Sequence, residues 1–226
     1  MALPASSTNT RGRNAVRRLT WLALLLGLAA WSADFLYSVF LKYQGSNAAS
    51  MGMFADRKGW LFTHLAGGAL TIALGPVQLL RQALDAVRPV HPWTGRVYLM
   101  GLLVACTGAA GLIATSPAPV EIRVAFGATM LAWVATAAVG IAAIRRGHLA
   151  THRAWMVRNY WVTLAPVSFR LLLPSATALG LTPSPSLIAA LLWASWVTPL
   201  LLHEAVVRLF RIGRAGSALS APEPFA

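Results

Sequence analysis

Imidazole is the side chain in this sequence best suited to chemistry near neutral pH, and there are five: His64, His91, His148, His152 and His203. A neutral imidazole can ligate iron, relay a proton or hold a buried carbonyl. His91 stands in Val90-His91-Pro92-Trp93-Thr94-Gly95-Arg96, and His152 in Thr151-His152-Arg153-Ala154-Trp155-Met156. Each heads an apolar run, which suits either a bis-imidazole b-type haem with His91 and His152 as the axial metal ligands or two imidazoles that merely hydrogen-bond loop carbonyls at the interface. Arg96, Arg153 and Gln78 are the cationic and donor partners for its propionates. His203 neighbours Glu204, the only carboxylate of its apolar segment, and His148 reads as an interfacial anchor. A second group, Asp34, His64 and Arg170, lies inside apolar runs, where ionisable groups are costly and turn inward. The bland alternative is a structural network in which Arg neutralises Asp34 and His64 holds a backbone carbonyl. No Ser/His/Asp order, His-Glu-x-x-His or phosphate loop is present, which argues against a hydrolase or an NTPase. Cys106 is the only cysteine, so no intramolecular disulfide or multi-cysteine cluster can form.

These residues must be held by membrane helices. Of 226 residues, 57% are hydrophobic and 11% charged, and the mean hydropathy is +0.62. A soluble domain carries about a quarter charged residues. A helix needs roughly 20 apolar residues to cross the hydrocarbon. Six segments qualify, approximately Leu19–Leu41, Trp60–Leu80, Arg96–Thr115, Val124–Ile144, Met156–Leu173 and Ser186–Phe210. The expected architecture is an all-α polytopic bundle spanning 19–211, with polar, disordered cytoplasmic tails at 1–18 and 212–226. The first segment follows Arg17-Arg18 and resembles a signal peptide. Its apolar run is too long for one, so a retained helix is expected.

The formal net charge of +13 is distributed by topology. Thirteen basic residues fall on one side: Arg11, Arg13, Arg17, Arg18, Arg81, Arg88, Arg96, Arg145, Arg146, Arg153, Arg208, Arg211 and Arg214. Four fall on the other: Lys42, Arg57, Lys58 and Arg123. The positive-inside rule then places both termini in the cytoplasm and argues against a nucleic-acid partner. Seventeen of 19 basic residues are Arg, a usage that suggests a GC-rich bacterium and hence its cytoplasmic membrane. Trp21, Trp60, Trp93 and Trp155 lie near segment ends, as interfacial aromatics do.

The helix faces add information. His64, Gly68, Thr71, Gly75 and Gln78 share one stripe. His91, Thr94, Tyr98, Gly101, Ala105 and Gly108 form a second, and His152, Asn159, Thr163, Pro166 and Arg170 a third. Close packing explains the glycines; it does not explain the polar groups on the same faces. With a rise of about 1.5 Å per residue, Asp34, His64 and Arg170 reach the outer third of the membrane, so they are expected to form one buried layer.

The chain resembles a bacterial membrane-protein family, domain-of-unknown-function family 2306, over about residues 60–175. The resemblance rests on His64-Leu65-Ala66-Gly67-Gly68, on Leu74-Gly75-Pro76-Val77-Gln78 and on His91 through Tyr98. It rests further on His152-Arg153-Ala154-Trp155-Met156-Val157-Arg158-Asn159-Tyr160 and on Arg170 through Pro174. Pro92 and Asn159 stand where the family pattern has Arg and Ser. The resemblance implies a polytopic membrane protein and supplies no activity. A looser likeness is to the cytochrome b561 type of four-helix haem core, which implies one haem b between His91 and His152. It supports at most one well-formed site, because the fourth segment has no histidine to pair with His64, only Met130 at similar depth.

Three functions remain open. One is a haem-binding electron-transfer or reductase-like subunit, served by quinol or a redox partner protein because no nicotinamide or flavin motif is present. Another is a small-ligand or ion transporter or sensor built on Asp34, His64 and Arg170. The last is a non-catalytic structural subunit.

Overall fold

Glycine and proline decide where this apolar chain bends and how closely its helices approach. The computed structural model describes the backbone of residues 7–45, 51–80 and 89–219. It does not describe the side chains of 7–15, 17–18, 211 and 213–219. The side chains of Arg11, Arg13, Arg17, Arg18, Arg81, Arg88, Arg211 and Arg214 are therefore outside the described residues. So are tail residues 1–6 and 220–226. Seven α-helices and a 3-10 turn, and no strand, occur among the described residues. The chain divides into two units, Met1–Ala118 and Pro119–Ala226.

The first unit holds α1 (Ser7–Tyr43), the 3-10 turn Gly52–Arg57, α2 (Lys58–Leu80) and α3 (His91–Ala114). α1 packs on α2. It buries Leu25 and Ser32, seven residues apart on one face. Leu24, Leu26 and Phe40 are exposed, as lipid-facing positions of a membrane helix should be. α2 and α3 form a close pair. A Cβ at Gly67 would run into the backbone of Gly101 and Ala105, and one at Gly108 into the backbone of His64 and Trp60. Only hydrogen at these two positions lets the two backbones touch.

The second unit holds α4 (Val120–Arg145), α5 (Leu149–Thr163), α6 (Ala165–Ala178) and α7 (Pro185–Leu219). α4 packs against both α5 and α7, with Ala125, Ala189 and Leu192 in a small core flanked by Phe169 of α6. Beyond Arg145, the last residue of α4, and its cap Arg146 comes Gly147, whose φ of 77° is left-handed. His148 N–H then bonds the Ala143 carbonyl at 2.9 Å, and Gly147 N–H bonds that of Ile144 at 3.0 Å. This is a Schellman closure, and glycine supplies its positive φ without steric cost.

Among the described residues, five helices are long and apolar enough to cross a membrane: Leu19–Tyr43, Gly52–Leu80, His91–Ala114, Val120–Arg145 and Pro185–Phe210. They coincide with five of the six expected spans, so the protein is an all-α membrane protein. The expected span Met156–Leu173 differs, being two helices that meet at Leu164. Pro166 has no N–H to give the Val162 carbonyl, and its ring crowds that turn. Leu164 sits at φ −81°, ψ 1°. Bonds from Leu164 N–H to Tyr160 and from Ser168 N–H to Leu164 hold the two pieces at the bend. Helix also reaches into both expected tails, beginning at Ser7 and running to Leu219.

Candidate functional site

In the first unit, the glycine contacts carry His64 onto α3. Its Nδ1 lies 2.9 Å from the Ala105 carbonyl. A carbonyl only accepts, so Nδ1 bears the proton and Nε2 keeps the lone pair. Gln78, at the far end of α2, donates its amide N–H to the His91 carbonyl at 3.4 Å and to the Thr94 hydroxyl. Thr94 in turn bonds the Val90 carbonyl at 3.0 Å. The end of α2 is thereby tied to the first turn of α3, and His91 sits half-buried at that tie. Arg96 is exposed, with its guanidinium 4.7 Å from the Trp93 ring centroid. His64 and His91 sit at opposite ends of the pair. The 14 residues from His91 to Ala105 span about 21 Å of helix.

In the second unit, α5 hooks onto α4 through one face. His152 Nδ1 lies 2.9 Å from the Gly140 carbonyl, which fixes the same tautomer as in His64. Asn159 is fully buried and donates to the Trp133 carbonyl at 2.8 Å and the Thr136 hydroxyl at 2.9 Å. Trp133 donates its indole N–H to Thr163 at 2.7 Å. Three members of the expected stripe, His152, Asn159 and Thr163, thus grip α4. Pro166 and Arg170 are exposed because the helix axis turns at Leu164 before the stripe reaches them. Arg153 is exposed on α5.

Asp34 does not have the buried setting expected of it; it is exposed on α1. Asp34 follows the buried Ser32 by two residues, about 200° around the helix, and so lies opposite the packed face. Arg170 is likewise exposed. Of that expected layer, His64 is the member turned into its unit.

Two charged groups were missed as structural elements. Arg57, expected as a loop charge, is buried. Its guanidinium donates to the Leu112 carbonyl at 3.2 Å and the Met53 carbonyl at 2.7 Å. It thereby caps the negative end of α3, a role that no local signal announces. Arg158 pairs with Glu204 of α7 at 2.7 Å, with the Trp155 ring 5.1 Å away. The lone carboxylate of the last span was the available signal for that pair.

No three His, Cys, Asp or Glu side chains converge among the described residues, so those residues offer no polydentate metal cage. Haem asks less, namely an axial imidazole with its free nitrogen unprotonated. His152 and His64 both hold the tautomer this needs, with a backbone carbonyl on Nδ1, the usual orienting partner of a ligating histidine.

A family model described as predicted membrane protein (DUF2306) matches residues 61–207. No curated protein and no solved structure matches the chain.

Proposed function

The chain belongs to the DUF2306 family of predicted membrane proteins, and from that premise we propose that it is a b-type haem-binding electron-transfer subunit of a bacterial cytoplasmic membrane. The observation that carries this reading is the bond between His152 Nδ1 and the Gly140 carbonyl. It holds the imidazole in the tautomer whose Nε2 can donate to iron. His152 is the axial ligand on this reading, and His91 is the second imidazole assigned from the sequence. Arg96 and Arg153, exposed at helix starts, are the cationic partners for propionates. Gln78 holds the His91 turn in place. When bound, haem supplies a one-electron Fe(III)/Fe(II) couple. The chain carries no nicotinamide or flavin motif, so quinol or a partner protein is the donor.

The test is the visible spectrum of protein purified from haem-replete cells. A Soret band is expected in the wild type, with loss or a marked shift in His152→Ala and in His91→Ala. A colourless wild type, or two variants with unchanged spectra, overturns the reading. A second reading, a non-catalytic packing subunit, is favoured by His64, whose Nδ1 clasps α3 at Ala105. That reading requires a colourless protein.

A further inference from the structure

α4 ends on two cations that the haem reading does not use. Arg145 is the last residue of the helix and Arg146 caps it; both are exposed. Ala138, Ile141, Ala142 and Arg145 follow one helix face at i, i+3, i+4 and i+7. With Arg146 they line a shallow, open cleft of about 480 Å³ along the surface of this one helix. Ala138 and Ala142 keep its floor low and apolar. The distance from Ala138 to Arg145 along the axis is about 10 Å.

The neighbouring groups leave both guanidiniums available. The Ala143 and Ile144 carbonyls are engaged by His148 and Gly147 in the helix closure. The described carboxylates of this unit lie elsewhere: Glu121 begins α4, and Glu204 is held by Arg158. Neither Arg145 nor Arg146 forms an ion pair among the described residues.

Depth selects the occupant. The apolar span runs from Val120 to Arg145. Its end puts the two arginines at headgroup level and the alanine floor in hydrocarbon. A molecule that complements this cleft is negative at one end and apolar along roughly 10 Å. We propose that the cleft binds an anionic phospholipid, its phosphate between Arg145 and Arg146 and an acyl chain along Ala138, Ile141 and Ala142. Paired arginines favour phosphate oxygens by charge-assisted hydrogen bonds, and basic residues at the membrane surface attract anionic headgroups. The site is independent of haem.

Native mass spectrometry of the full chain, extracted and offered equimolar phosphatidylglycerol and phosphatidylcholine, tests it. The wild type should retain phosphatidylglycerol in preference, and excess inorganic phosphate should not displace it. The Arg145→Gln/Arg146→Gln double variant should lower that retention about tenfold or more. Ala142→Leu, which raises the alanine floor and keeps both charges, should also lower it. Circular dichroism verifies that each variant keeps its helix content, and the Ala142→Leu result stands even if the double variant does not fold. Equal retention of the two lipids, displacement by phosphate, or wild-type retention in a folded variant overturns the proposal.

Discussion

Asn159 is fully buried, and its amide reaches both the Trp133 carbonyl and the Thr136 hydroxyl across the α4–α5 contact. Interhelical hydrogen bonds in hydrocarbon are worth about 0.6 kcal/mol on average and up to about 1.7. Asn159→Leu keeps the volume and removes both bonds. It should lower the stability of the detergent-solubilised protein by about 1–2 kcal/mol, read as a shift in the unfolding midpoint. A neutral result would show that the contact rests on packing alone. Histidine behaves similarly at this scale. His64 and His152 each bond the facing helix through Nδ1 and keep Nε2 for other use. That economy makes a structural clasp and a haem ligand compatible in one residue, and the spectra proposed above separate them.

Between elements, contact distance is set by which residues lack a Cβ. Gly108 has no room for one, since His64 and Trp60 backbone atoms occupy the space, whereas Gly127 has nothing within 4 Å. Gly108→Ala should therefore cost about 2–3 kcal/mol or more, because two backbones must separate. Gly127→Ala should change stability by less than about 1 kcal/mol and in the stabilising direction. Thermal melts of both variants in one detergent make the comparison. Equal effects would mean that α2 and α3 are not in backbone contact. Proline sets the other element-scale feature. Pro166 bends the chain between α5 and α6, and each piece, 15 and 14 residues long, falls short of a full crossing on its own.

Across the whole molecule, that bend decides the parity of the topology. If α5 and α6 together cross the membrane, both termini share one side, and the thirteen-to-four basic asymmetry is preserved. If they do not cross, Arg208, Arg211 and Arg214 are carried to the opposite side, against the positive-inside rule. Reporter fusions in the segments 42–59 and 174–185 should therefore both read as external. A cytoplasmic reading at 174–185 would reject six crossings and make α5–α6 a pair that enters and leaves on one side.

Composition and local pattern suffice for the helical class, the apolar spans and the family motifs, because transfer to hydrocarbon depends on composition over about 20 residues and needs no knowledge of neighbours. They also place His64, Asn159 and Thr163 on inward stripes, because helical periodicity is local. They do not reveal that the third stripe stops at Leu164, since a proline bend changes direction only for what lies beyond it. They place Arg57 in a loop, and only the tertiary structure brings that side chain under the last turn of α3. The same holds for the Arg158–Glu204 pair, whose members are 46 residues apart in the chain. Asp34 is exposed on α1: charge cost favours burial somewhere, while the face opposite Leu25 and Ser32 is fixed by which side of α1 meets α2. Pairing and direction are properties of facing surfaces, and they exist only once the helices are in contact.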